Sequence, residues 1–241
     1  MKYIGITERG DGGLDLSWES KLDSVECAVI VTKSINDNLI NALLRNKHKL
    51  ILHCTCTGFG GTVIEPNVHD FRWTYNQICK LINSGFPKEQ IVLRIDPIIP
   101  TPKALNRIET ILNLFSRTGI TRVRYSFLDM YNHVKNRFIN AGFQLPFSSF
   151  SAPKSMIDKA YPIFEQFEDI YTFESCAELD KHRLGCISQK DIDILNLDIE
   201  LEYGTSQRPT CLCPKNKLEL LNNAKQCAHR CFYCYWRKDY D

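Results

Sequence analysis

The sequence predicts an α/β fold: a partial (β/α)6 TIM-like barrel over residues 1–175, followed by a cysteine-rich segment over 176–241. Short β-rich runs alternate with stretches of helical period, which implies parallel strands joined by right-handed crossovers. About six such strands are too few to close an eight-stranded barrel. The third observation is a concentration of cysteine at the end of the chain. An open doubly wound sheet is the alternative architecture, but no GxGxxG or Walker loop follows any expected strand.

Strands are expected at residues 2–7, 27–32, 49–55, 90–95, 122–127 and 170–174, each a short apolar or β-branched run. Leu39, Ile40, Leu43 and Leu44 form a helical stripe behind a Ser34-x-x-Asp37 capping box. Phe71, Tyr75, Ile78 and Ile82 form the next, which Gly85 should stop. A third holds Ile108, Ile111, Leu112 and Phe115, opened by Thr101 and Pro102 and closed near Gly119. Met156, Ala160, Ile163, Phe164 and Phe167 suggest a fourth, kinked or delayed by Pro162. Ser188-x-x-Asp191 opens one more short helix, and from about Thr205 the periodicity fades.

Charged residues make up 24% and hydrophobic ones 44% of the 241, a globular balance that argues against disorder. A net charge of +2 implies no polyanionic partner by itself. No apolar run is long enough to span a membrane, and the start MKYIGITERGDGG lacks the apolar core of a secretory signal. A cytoplasmic protein without a membrane partner is expected.

Eleven cysteines are many for such a chain, and an odd count in a reducing compartment fits a disulfide framework poorly. Cys27, Cys54, Cys56 and Cys79 fall on strands or a helix and read as packing, with a functional role the lesser alternative for Cys54 and Cys56 at a strand end. Seven lie between Cys176 and Cys234. Among them Cys227-Ala-His-Arg-Cys231-Phe-Tyr-Cys234 is a C-x3-C-x2-C run. Three thiolates at this spacing can hold three corners of a [4Fe–4S] cluster and leave one iron open. An open iron can chelate S-adenosylmethionine, with Tyr233 beside the adenine. Cys176, Cys186, Cys211 and Cys213 make a ligand set for a second cluster or for zinc, with iron preferred, against the alternative of buried free thiols; Cys176 or Cys186 can also serve as a hydrogen-atom donor. No histidine pair has helical metal-ligand spacing, and His229, inside the loop, reads as a support for the ligands rather than as one.

In parallel α/β folds chemistry collects at the C-terminal ends of strands. There the sequence puts Lys33, Arg94 and Ser126 as candidates for a cofactor carboxylate and ribose, and Glu174, Glu178 and Asp129 for substrate or protons. Thr57-Gly58-Phe59-Gly60-Gly61 is either a loop approaching a ligand closely or a plain turn.

The cysteine spacing, with an aromatic residue before the last cysteine, resembles the signature of the radical S-adenosylmethionine superfamily. There the loop follows the first strand; here it lies beyond the last expected strand, and residues 3–13 hold no cysteine. A tail folding back, as in a circular permutation, would return it to the upper rim. Glu65-Pro66-Asn67-Val68, Arg94-x-Asp96-Pro97-Ile98, Ser126-Phe127-Leu128-Asp129, Glu174-Ser175-Cys176-Ala177-Glu178, Gln207-Arg208-Pro209 and the 227–235 run extend the likeness over nearly the whole chain. Together they resemble a bacterial domain-of-unknown-function family with a cysteine-rich C-terminus, distantly similar to spore photoproduct lyase-type radical enzymes. The resemblance implies reductive cleavage of S-adenosylmethionine, hydrogen abstraction from an unknown substrate, and an electron donor such as a ferredoxin or flavodoxin.

The segment 208–238 carries +6 against −4 elsewhere. With Phe232, Tyr233, Tyr235 and Trp236 interleaved it suits nucleic acid, although compensation of an anionic cluster explains it as well. The competing function is a non-catalytic or electron-transfer metal-binding module, iron–sulfur or zinc, on a scaffold barrel.

Overall fold

A computed structural model describes residues 2–175, 181–204 and 212–237. The strands are β1 (Ile4–Ile6), β2 (Cys27–Thr32), β3 (Leu50–Thr55), β4 (Ile91–Ile98), β5 (Arg122–Phe127), β6 (Thr172–Ser175), β7 (Tyr203–Gly204), β8 (Cys213–Pro214) and β9 (Lys217–Glu219). The helices are α1 (Asp37–Arg45), α2 (Phe71–Asn83), α3 (Pro102–Phe115), α4 (Asn132–Asn140), α5 (Lys154–Ile157), α6 (Tyr161–Glu165) and α7 (Gln189–Ile194).

Seven strands form one parallel sheet in the order β6-β5-β4-β3-β2-β1-β9, while β7 and β8 pair as a separate antiparallel ribbon. The α/β class expected from the sequence is present; the sheet has one strand more than expected and does not close into a barrel. From β1 to β6 spatial order follows chain order without reversal. Right-handed crossovers then put the connecting helices on one face, and the doubly wound alternative, which needs a reversal, is not formed.

The alternation of side chains confirms two covered faces. Ala28, Ile30, Leu50, Leu52, Leu93 and Val123 pack with helix residues such as Leu39, Ile78, Ile111 and Phe115 in the large core. On the opposite face Ile4, Ile6, Val29, Ile51 and Val92 meet Ile187, Ile192, Ile199 and Leu201. Thus α7 and the chain after it cover that face. Residues beyond 175 also supply β9 to the sheet and Leu220, Leu221, Cys231 and Tyr233 to the large core.

Local chemistry explains several helix ends. Thr101 accepts from the Ala104 N–H at the start of α3, with Pro102 in its first turn, and Gly85 and Gly119 take φ of 95° and 76° just past their helices. The capping box Ser188/Asp191 forms as expected. At α1 the cap is Asn36, whose side chain accepts from the Leu39 N–H, rather than Ser34, whose main chain is tied to the Thr32 hydroxyl. The fourth expected helix is broken at residues 158–160 into α5 and α6; Pro162 lies in the first turn of α6, where its ring and missing N–H interrupt the ladder to the preceding turn. Gly5 marks a close approach: a Cβ there would stand 2.6 Å from Leu220 Cδ1, where the chain leaves β9.

Candidate functional site

β9 runs parallel to β1, with Ile4, Gly5 and Ile6 opposite Lys217, Leu218 and Glu219, so it occupies the edge before β1. The chain then rises along the loop after β1, where Ala224 N–H donates to the Arg9 carbonyl at 2.9 Å. It enters the cysteine loop at the C-terminal ends of the strands. Cys227, Cys231 and Cys234 all line one cavity of about 170 Å³ there, together with Lys33, Arg94, Asp96, Ser126 and Asp129.

The loop is held by groups far apart in sequence. His229 places Nε2 at 2.9 Å from Asp11 Oδ2 and Nδ1 at 3.2 Å from the Asn67 carbonyl. Asn67 in turn donates to the Ala228 carbonyl at 2.7 Å, and Phe232 N–H donates to the Ile64 carbonyl at 2.9 Å. The Tyr233 hydroxyl donates to the Glu65 carboxylate. From α4, Arg137 donates to the carbonyls of Phe232, Cys234 and Arg237, and His133 meets the Tyr235 carbonyl. A buried arginine satisfying three carbonyls organises a segment that has no ladder of its own.

Asp11 is the hub of the arrangement. Besides His229 it accepts from Gly13 N–H (2.9 Å), Leu14 N–H (3.2 Å), Thr32 Oγ1 (2.6 Å) and Lys33 N–H (2.7 Å). Burial works to raise its pKa, but His229 and these donors outweigh it and hold the carboxyl below its ordinary range.

The two cations on the rim already have carboxylate partners. Lys33 Nζ lies 2.9 Å from Glu65 Oε1 and 5.6 Å from the centre of the Tyr233 ring. Burial opposes the Lys33 charge, yet Glu65 beside it raises its pKa overall. Arg94 pairs with Asp96, which also accepts from the Ser126 hydroxyl. Burial pushes the thiols up, Cys227 to about 11 and Cys231 to about 12, although Lys33 pulls the other way. As thiols they are neutral at physiological pH, and binding a metal requires loss of those protons.

The structure brings together Lys33, Arg94, Ser126, Asp129, Tyr233 and the three loop cysteines, with Cys186 in the same cavity wall. Glu174 is elsewhere. It lies buried against Arg122 (3.3 Å) and Arg124, which also reach Asp191, at 2.7 Å and 3.4 Å respectively. Ser188 and the Cys186 carbonyl complete that network. Cys213 is fully buried with Lys217 Nζ at 3.7 Å from its sulfur. Glu178, Cys176 and Cys211 lie outside the described residues. Cys27 and Cys54 are buried on strands and Cys56 is buried just past the end of β3, in keeping with a packing role.

The glycine loop does not line the cavity. A Cβ on Gly60 would lie 1.9 Å from the His69 carbonyl oxygen, so the loop folds tightly on itself and delivers Glu65 and Asn67 under the cysteine loop. Composition and spacing had not singled out Asp11 or Arg137; Glu65 and Asn67 entered only through the motif they share.

Among the described residues, no group of three or more His, Cys, Asp or Glu side chains is placed to hold a metal ion. No described helix is long and apolar enough to cross a membrane. A family model described as Domain of unknown function (DUF1848) matches residues 16–236. No curated protein and no solved structure matches the chain.

Proposed function

Because the chain belongs to the DUF1848 family, whose description carries no activity, its function has to be read from the cavity, and we propose an iron–sulfur enzyme of the radical S-adenosylmethionine type. The observation that carries this reading is the position of the cysteine loop. It follows β9, and β9 stands first in the spatial order β9-β1-β2-β3-β4-β5-β6. A loop that follows the last strand in sequence therefore follows the first strand in space, as a circular permutation requires. On this reading the open sheet is a partial barrel with β9 in the place of the first strand.

The donor set suits the cluster: three thiols share one cavity with the cations Lys33 and Arg94. A [4Fe–4S] cluster attaches each cysteine to a different iron, so its ligands do not converge on one point as they do around a single ion. Cys227, Cys231 and Cys234 would hold it, and it would supply the electron for reductive cleavage of S-adenosylmethionine and hydrogen abstraction. Arg94 and Ser126, braced on Asp96, present hydrogen-bonding groups to the ribose and carboxylate. Lys33, paired with Glu65, balances thiolate charge. Tyr233 has its hydroxyl committed to Glu65, which leaves its ring and main chain for the adenine. Asp129, which accepts from the Ser151 hydroxyl at 3.2 Å, is the rim carboxylate assigned to substrate or protons. An external electron donor, ferredoxin or flavodoxin in type, would feed the cluster, and the basic tail leaves nucleic acid as a partner class. A second cluster or zinc on Cys176, Cys186, Cys211 and Cys213 belongs to the same reading.

A second reading has one observation in its favour. Cys186 lines the same cavity as the loop cysteines, and a fourth thiolate would complete the ligation of a cluster that only transfers electrons. Metal and sulfide analysis of anaerobically purified protein, with EPR of the reduced form before and after S-adenosylmethionine, separates the two. An enzyme of the proposed type gives a cubane signal that changes with the cofactor, and Cys231→Ala abolishes deoxyadenosine formation. A signal indifferent to the cofactor, or zinc alone, overturns the proposal.

A further inference from the structure

The outer face of the cysteine loop carries cations that the cavity does not use. From Leu220 to Arg237 the chain holds Lys225, Arg230 and Arg237 and no Asp or Glu. Lys225 and Arg230 are exposed, do not line the cavity, and pair with no carboxylate among the described residues. Arg237 joins them, its Nη1 donating to the Arg230 carbonyl at 2.7 Å. Arg230 takes φ of 51°, a left-handed conformation that suits Gly or Asn, and it is exposed, so neither backbone nor packing calls for arginine there. Behind this face Cys227 and Cys234 are half-buried and Cys231 is buried, all three on the cavity wall. The thiols thus lie close under the surface that Lys225 and Arg230 charge.

Balancing the charge of a cluster requires cations at the cavity, and Lys33 and Arg94 stand there. A nucleic-acid strand needs free aromatic faces among the cations. Here Phe232 is engaged edge-on by Phe138 and Phe143 at 6.1 and 5.7 Å, and Tyr235 stacks on Tyr131 at 5.4 Å. A compact positive patch over three cavity thiols fits a protein of opposite charge that delivers electrons. Complementary charge steers and orients the encounter, and electron transfer falls steeply with distance. We propose that Lys225, Arg230 and Arg237 form the docking surface for a small acidic electron-carrier protein. In each encounter the carrier is oxidised by one electron and the cluster is reduced by one. The inference places the electron donor of the proposed function; the transfer step rests on the cluster, while binding to the surface does not.

The test uses the full chain, purified anaerobically, with an acidic flavodoxin as probe, for wild type, Lys225→Glu, Arg230→Glu, the double variant, Arg230→Gln and Lys88→Glu. Lys88 is exposed just before β4, at the other end of the strands, and serves as the control. Calorimetric titration at low ionic strength reads binding, and stopped-flow mixing with reduced flavodoxin reads reduction of the cluster. Photoreduction with a neutral deazaflavin and iron analysis report on the cluster itself. Flavodoxin affinity and the second-order reduction rate should both fall at least about tenfold in the double variant, severalfold in the single variants, and not in Lys88→Glu, with the differences closing at about 0.5 M salt. Deazaflavin reduction and iron content should stay at the wild-type level. Iron-free protein whose flavodoxin binding is lost in the double variant upholds the surface while removing the cluster reading. Equal flavodoxin affinity and reduction rate in wild type and the double variant, or no binding to wild type, overturns the proposal. So does a double variant that loses affinity for a single-stranded oligonucleotide but none for flavodoxin.

Discussion

His229 and Asp11, 218 positions apart in the chain, meet at 2.9 Å beneath the cysteine loop. Both ring nitrogens of His229 face oxygen atoms, Asp11 Oδ2 on one side and the Asn67 carbonyl on the other. The contact joins the loop after β1, the end of β2 and the segment bearing Cys227 and Cys231. Asp11 therefore sets the loop's position although it has no place in the cysteine motif.

Removing Asp11 should be costly. Asp11→Ala leaves several buried donors without an acceptor, and a loss of roughly 3 kcal/mol, or about 10 °C in Tm, is expected. His229→Ala should cost less, since Asp11 keeps four other donors. Urea unfolding of both single variants and the double variant measures the coupling. A double variant no worse than Asp11→Ala identifies the pair as one unit; full additivity would contradict it.

Glu219 predicts a pH dependence. Burial, with Glu8 nearby, raises its pKa from the ordinary 4.5 to about 7. The folded state thus holds a proton that the unfolded state releases between these values. That stability is present below the unfolded pKa and is lost as pH rises through the folded one. Glu219→Gln should flatten the slope and stabilise the protein at about pH 8 by on the order of 2 kcal/mol. Unfolding free energies of both proteins at about pH 5 and about pH 8 provide the check, and identical slopes would refute it.

Glu174 and Asp129 should separate stability from binding. Glu174 sits in the closed network with Arg122 and Arg124, so Glu174→Gln should destabilise by about 3 kcal/mol while leaving the ligand affinity of the folded protein near wild type. Asp129 lines the cavity, so Asp129→Asn should change ligand affinity or turnover with a smaller loss of stability. Thermal unfolding alongside S-adenosylmethionine binding distinguishes them.

The cysteines should fall into two groups. Cys54→Ala and Cys56→Ala remove buried atoms from the large core and should cost about 1 kcal/mol each without lowering iron content. Alanine at Cys227, Cys231 or Cys234 should lower iron content severely. Iron lost equally from both groups would mean that the loop is not the cluster's ligand set.

Much of the sheet was legible in the sequence. β2 and β5 have the bounds that their apolar patterns predict, and Thr101-Pro102 and Ser188-x-x-Asp191 open helices as expected. These signals are local: a strand's alternation or a cap's hydrogen bond involves residues a few positions apart. The choice of Asn36 over Ser34 as cap was less legible, because Thr32 competes for the Ser34 main chain. β9 was invisible, since Lys217-Leu218-Glu219 has too few residues to show a period and exists only because β1 pairs with it.

By itself the sequence determined the parallel α/β class, most strand positions, and a C-x3-C-x2-C run near the end of the chain. Only the tertiary structure decided that β9 lies beside β1, which lifts that loop over the strand ends with Asp11, Glu65 and Arg137 beneath it. The same packing put Glu174 between two arginines rather than on the cavity wall, and left Arg9 against Trp236. The reason is physical: periodicity and capping are set by near neighbours, whereas contacts between groups some 200 residues apart depend on which edges and faces pair when the whole chain packs.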